Sequence, residues 1–331
     1  MTVRRREITV CSHRRAWLAG AASLAAAILT AACQPATGPG AIRAAGSPPA
    51  AASSPTATSA PDQPAPVKPA TVSGPVVALG DSYTAGGLLP ADPGAVPPGC
   101  LRSTKAYPVL VARALGAPLT DAACASAGVK NMTQPQRTYL GTNPAQLSAL
   151  APGDALVLLT LSGDDVGFLN VMQECVKLSF TAPWGSPCQA HYTAGGRDQL
   201  AAAVSAVAPK MAQVLAAIRT RAPRARIVMV GYPDLFPQSG GCWPAVPITA
   251  GDVAYLRGIE VKLNAMLAGD AVSAGATFVN TYAPTVGHDF CTAESIRDVE
   301  GLLPGSLELP FHPNARGQAA IAAAVLAAVN A

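Results

Sequence analysis

The chain is 331 residues long, half of them hydrophobic and only 13% charged, with a formal net charge of +4 at pH 7. Length and apolar content are enough for one large buried core. Arg4, Arg5, Arg6, Arg14 and Arg15 against Glu7 place all of the +4 in the first 32 residues, so the neutral remainder has no general electrostatic case for binding nucleic acid.

Those arginines precede a short apolar stretch over 17–32, too short to span a bilayer comfortably, and the pair reads as an export signal over 1–32. Arg14-Arg15 before Ala16-Trp17-Leu18 resembles a twin-arginine signal, which leaves two export routes open. The stretch ends Leu29-Thr30-Ala31-Ala32-Cys33, similar to the lipobox of bacterial lipoproteins with Thr30 where leucine is usual. The expectation is lipidation at Cys33 and anchoring to the outer face of the cell membrane, with the lipid as the sole membrane contact. The alternative is simple cleavage after an Ala-x-Ala-like site, and secretion. Residues 33–74 are dominated by Ala, Pro, Ser, Thr and Gly. Such a segment buries too little apolar surface to offset its ordering entropy and reads as a disordered tether. The folded domain is expected over 75–331.

Beyond Cys11 and Cys33 the chain has Cys100, Cys124, Cys175, Cys188, Cys242 and Cys291. An even set in an exported chain implies disulfides, although six cysteines allow about fifteen pairings and spacing does not choose among them. Zinc is the weaker reading, since no C-x-x-C pair occurs.

Apolar strand-like runs fall at 75–79, 119–123, 155–161, 226–231 and 277–281, most of them continuously apolar, as strands covered on both faces should be. Helical patterns fall between and after them at 106–115, 199–221, 252–273 and 314–330, the last two opened by Asp252 and Asn314. This alternation predicts an α/β sandwich around a central parallel sheet. The Gly/Pro/Cys-rich pieces 84–104, 174–196 and 233–250 read as long loops.

Sites on parallel sheets form at the carboxyl ends of strands. After the first run comes Asp81-Ser82, after the second Cys124-Ala125-Ser126-Ala127-Gly128, after the third Ser162-Gly163-Asp164-Asp165, and after the fourth Tyr232-Pro233-Asp234. Gly80 permits a sharp turn that would expose Ser82 at the end of a buried strand, where a nucleophile needs to stand. Asp and Ser are also ordinary turn residues. A serine nucleophile requires a base, and past the signal only His191, His288 and His312 are available. His312 stands on a loop entering the last helix. His288-Asp289 reads as structural beside Cys291. Trp184 and Trp243, in the loop regions, read either as an acyl-binding wall or as packing under those loops.

Gly80-Asp81-Ser82-Tyr83, Ser162-Gly163-Asp164-Asp165 and His312-Pro313-Asn314 together resemble the GDSL, or SGNH, hydrolases. Gly241-Cys242-Trp243-Pro244, Gly287-His288-Asp289 and Glu300-Gly301-Leu302 look like a secreted actinobacterial branch of serine esterases and lipases with three disulfides. The resemblance covers 76–331. It implies a flavodoxin-like three-layer α/β/α sandwich, Ser82 as nucleophile, His312 as general base, and the pairings Cys100–Cys124, Cys175–Cys188 and Cys242–Cys291. It also implies ester hydrolysis through an acyl-enzyme, with no metal or other cofactor, on a small-molecule or lipid ester, by a monomer. Three positions depart from the family pattern. Leu309 stands where an aspartate often orients the histidine, leaving a backbone carbonyl or Glu308 for that role. Asp164 stands where an asparagine amide enters the oxyanion hole, so Asp164 would have to donate as a neutral acid, its pKa raised by burial beside Asp165. Ser126 falls where the family has its donor glycine, with Gly128 as the alternative. Ser82, Ser126 and Asp164 are therefore the expected oxyanion donors, and the last two motivate a second reading, a catalytically weak or inactive binding lipoprotein on the same fold.

Overall fold

The computed structural model describes residues 72–87 and 90–331. The expected export signal, Cys33 and nearly all of the tether lie outside these residues. In chain order the elements are β1 (Val76–Gly80), α1 (Ser82–Ala85), α2 (Tyr107–Leu115), β2 (Leu119–Asp121), β3 (Gln136–Thr138), β4 (Gly141–Asn143), β5 (Leu156–Thr160), α3 (Gly163–Val166), α4 (Phe168–Thr181) and α5 (Pro187–Tyr192). There follow α6 (Gln199–Arg221), β6 (Arg226–Val230), α7 (Ala250–Ser273), β7 (Thr277–Val279), α8 (Tyr282–Thr285) and α9 (Ala315–Asn330).

Five strands form a parallel sheet in the order β2-β1-β5-β6-β7, and β3 and β4 make a separate antiparallel pair. The strands are apolar throughout because both faces are covered, and their period of two still sorts the side chains. Val76, Leu156, Leu158, Val228 and Val230 face α2 and α9, where they meet Tyr107, Val111, Ile321 and Val325. Val77, Leu79, Val157, Leu159, Ile227 and Met229 face the other way, toward α4, α6 and α7. The result is an α/β/α sandwich of three layers. Val72 packs on the α2/α9 layer, so the folded contacts begin slightly before residue 75.

Three expectations need correction. The region 174–196 is mostly helical, not loop: Val171, Met172, Cys175 and Ser179 form a buried stripe at helical spacing, and Pro187 sits in the first turn of α5, where proline costs no hydrogen bond. Asp252 does not cap α7. Thr249 does, accepting the Asp252 N–H, while the Asp252 carboxylate accepts the Thr249 hydroxyl and also the N–H groups of Cys188 and Gln189. Each strand is also shorter than its apolar run by one residue or more, except β1, which shifts by one. Asn314 caps α9 through the N–H groups of Arg316 and Gly317. The cysteines pair as Cys100–Cys124, Cys175–Cys188 and Cys242–Cys291.

The topology decides where a ligand can enter. β1 has β2 on one side and β5 on the other, so the strand order reverses there and opens a crevice at the carboxyl ends. Gly80 pairs with Thr160, so β1 and β5 end level and release Asp81-Ser82 and Ser162-Gly163-Asp164 side by side.

Candidate active site

β1 ends at Gly80, whose φ of +134° and 2.1 Å approach of a hypothetical Cβ to the Thr160 carbonyl admit only glycine. Gln146 clamps this residue from the side, accepting its N–H at 2.7 Å and donating to its carbonyl at 2.9 Å. Asp81 then caps α1 by accepting the Tyr83 N–H at 2.9 Å, which places Ser82 at the first position of the helix.

Ser82 Oγ lies 2.7 Å from His312 Nε2, across 230 residues of chain. His312 Nδ1 lies 2.8 Å from the Pro310 carbonyl. A carbonyl only accepts, so Nδ1 carries the proton and Nε2 presents its lone pair to the Ser82 hydroxyl. Neither Leu309 nor Glu308 takes that orienting position; the Glu308 carboxyl accepts the Leu309 N–H at 3.0 Å. Burial pushes the imidazole down to about 4, against a smaller upward pull from Pro310, so the His312 ring is neutral near pH 7.

The loop that carries His312 is held from two sides. Val299 and Pro313 form an antiparallel bridge, with Glu300 N–H donating to the His312 carbonyl at 2.9 Å and Phe311 N–H to the Glu300 carbonyl at 3.0 Å. On the other side the Tyr83 ring lies 4.8 Å from the imidazole.

Ser126 and Asp164 line the same pocket as Ser82 and His312. Ser126 has φ +62°, the left-handed conformation that favours glycine, and its N–H, like that of Ser82, donates to no other described residue. Gly128 is not on the pocket wall. Its N–H donates to Asn131 Oδ1 at 3.1 Å, and its Cα packs against the Asp165 carboxylate. That carboxylate accepts the Val129 N–H at 2.9 Å and so ties the Ser126 loop to α3. The Asp164 main-chain carbonyl accepts the Gly167 N–H at 3.1 Å, but its carboxyl accepts no hydrogen bond from the described residues. Burial first, then the Asp165 charge, push it up to about 6. Beneath it, Tyr232 donates to Asp81 Oδ2 at 2.5 Å and accepts the Gly163 N–H at 2.7 Å, joining the residue before Ser82 to the residue before Asp164.

The pocket continues inward from Ser82 between α4, α6 and α7, and its inner wall is apolar: Phe168 and Met172 from α4, Leu200 from α6, Leu256 and Leu263 from α7, and Phe236. These residues come from three helices and a loop far apart in the chain, so the wall exists only once α4, α6 and α7 pack together. The spacing of Leu256, Ile259 and Leu263 was a legible sign of one helix face. Trp184 and Trp243 do not line the pocket. Trp184 is exposed, and Trp243 meets Phe180 edge-on at 5.6 Å between ring centres. His288 is also away from it, with Nδ1 2.6 Å from the Ile296 carbonyl.

Comparison with known proteins matches the model of the GDSL-like Lipase/Acylhydrolase family to residues 78–320. Lipase 2 of Streptomyces coelicolor is 40% identical over 247 residues, 73% of this chain and 81% of that protein. Among solved structures, phospholipase A1 from Streptomyces albidoflavus is 27% identical with a TM-score of 0.64, covering 78% of this chain and 99% of that one. The extracellular lipase from Streptomyces rimosus is 27% identical with a TM-score of 0.63, covering 78% of this chain and 100% of that one.

Proposed function

The chain belongs to the GDSL-like lipase/acylhydrolase family and is a carboxylic ester hydrolase, and from that premise we propose that it is an exported serine esterase acting through Ser82 and His312. The observation that carries this reading is the 2.7 Å contact between Ser82 Oγ and the unprotonated Nε2 of a histidine whose Nδ1–H is spoken for by Pro310. His312 takes the Ser82 proton as Oγ attacks the ester carbonyl. The oxyanion is met by the N–H groups of Ser82 and Ser126 and by the hydroxyl of a neutral Asp164. The imidazolium then protonates the leaving alcohol from Nε2, and water enters, activated by the same imidazole, to release the acid.

The apolar inner wall favours the acyl side of a lipid ester, since each buried methylene is worth about 0.8 kcal/mol. Export is supported by the three disulfides, which persist in oxidising compartments, and by the signal-like first 32 residues. Anchoring through Cys33 rests on the sequence alone. Metabolic labelling with a fatty-acid analogue tests it: label on the native protein and none on Cys33→Ala supports the anchor, while an unlabelled native protein leaves secretion.

The catalytic reading is tested with p-nitrophenyl esters and a fluorophosphonate probe on the purified protein. Turnover and labelling that both vanish in Ser82→Ala and fall by about three orders of magnitude or more in His312→Ala are expected. Labelling that survives Ser82→Ala would overturn the assignment of the nucleophile.

A further inference from the structure

One residue on the inner wall of the pocket breaks its chemistry. The α7 residues Leu256, Ile259, Glu260 and Leu263 recur at i, i+3, i+4 and i+7, the spacing of one helix face, and all four line the pocket. Three are apolar, as a wall for an acyl chain requires. The fourth is a carboxyl, 6% exposed, in a position where leucine would complete the face.

Burying a carboxyl is costly unless its oxygens are hydrogen-bonded. Among the described residues, the sole hydrogen bond to the Glu260 carboxyl comes from the Leu235 N–H, at 3.2 Å and 3.5 Å to its two oxygens. A carboxyl offers about four lone-pair sites, or a donor and acceptors when protonated, so one N–H leaves capacity unused. Burial first and the nearby Asp234 charge second hold Glu260 well above the usual carboxylate range. In its neutral form it is both a donor and an acceptor at the edge of an apolar channel. A backbone clamp alone does not require a carboxyl: four residues on, the neutral Asn264 amide holds both the N–H and the carbonyl of Tyr232 in the same loop.

We propose that Glu260 is a specificity-determining residue that hydrogen-bonds a hydroxyl on the substrate's acyl chain, so that the pocket selects esters of hydroxylated fatty acids over plain ones. The inference rests on the reading of the Ser82 pocket as the acyl site. A polar group built to meet a substrate hydroxyl discriminates strongly against the chain that lacks it, because the site's own polar atoms are then left without that partner.

The test is binding, which separates this inference from the catalytic reading. Full-length Ser82→Ala protein is titrated calorimetrically with methyl octanoate and with methyl octanoates hydroxylated at successive chain carbons. At least one hydroxylated isomer should bind roughly tenfold or more tightly than the plain ester. Glu260→Gln, which keeps a donor and an acceptor, should retain that preference; Glu260→Leu should abolish it and bind the plain ester at least as well. Equal affinity for all isomers in the Ser82→Ala protein overturns the proposal without any Glu260 variant having to fold. So does a preference that survives Glu260→Leu. Turnover of short-chain esters by the protein with Ser82 intact is measured alongside: inertness there with the binding preference present counts against hydrolysis by Ser82 and not against Glu260.

Discussion

The Tyr83 hydroxyl donates to the Phe311 carbonyl at 2.7 Å, so the residue after Ser82 holds the residue before His312. Phe311 has φ +62°, a backbone conformation that a bulky residue adopts only when its surroundings enforce it. The bond therefore acts on the geometry between Ser82 and His312 as well as on stability. Tyr83→Phe keeps the ring against the imidazole and leaves the Phe311 carbonyl without this donor. The expected cost is about 1–3 kcal/mol of stability, read by chemical denaturation. The expected loss in kcat is roughly ten- to a hundredfold at nearly unchanged KM for a short ester. Lost stability with kcat intact would leave Tyr83 a purely structural role.

The pH profile should be a bell displaced to the acid side. His312 must be neutral to accept a proton, so activity rises as pH increases through about 4. Asp164 must be protonated to donate to the oxyanion, so activity falls as pH increases through about 6. In Asp164→Asn the amide donates at every pH, which removes the alkaline limb and raises kcat/KM near pH 8 by up to about a hundredfold, the factor set by the two pH units above about 6. Profiles of kcat/KM for the two proteins, recorded from pH 3 to 9, check this. Superimposable profiles would take Asp164 out of the reaction.

Ser126 predicts a gain. Holding serine in the left-handed conformation costs about 1–2 kcal/mol, and glycine in the unfolded chain costs back about 0.4–1 kcal/mol. Ser126→Gly should therefore raise stability by about 0.5–1 kcal/mol. Because the N–H remains, kcat on small esters should hold within about twofold, while KM for bulky esters should fall as the side chain leaves the pocket mouth. Thermal unfolding and a substrate series of increasing bulk read the two effects. A stability loss would mean that the serine side chain makes compensating contacts.

Much of the architecture was legible because its causes are local. Five-residue apolar runs such as Val76–Gly80 and Leu156–Thr160 need cover on both faces, and Asn314 before an alanine-rich stretch marks a helix start wherever the helix goes. The failures were local conflicts. In 174–196 Pro183 and Gly185 between two helices, with Pro187 opening the second, obscure the buried stripe of the first, and Thr249, three residues earlier, is a better cap than Asp252. Ser82, Ser126, Asp164 and His312 stood out as residue types placed after strands or before a helix, and the fold brings all four to one pocket.

The sequence by itself determined the layer architecture, the residue types available for chemistry and the positions at which they leave the sheet, since propensity, capping and periodicity act over a few residues. Only the tertiary structure decided what those residues meet. The partner of His312 Nδ1 is a main-chain carbonyl, and every residue has one, so no side chain announces it. Tyr83 is 228 residues from Phe311, and Glu260 on its helix looks like any polar residue until the packing of α4, α6 and α7 encloses it. Contacts across such distances depend on how the layers close around the sheet, and that closure is a property of the whole core.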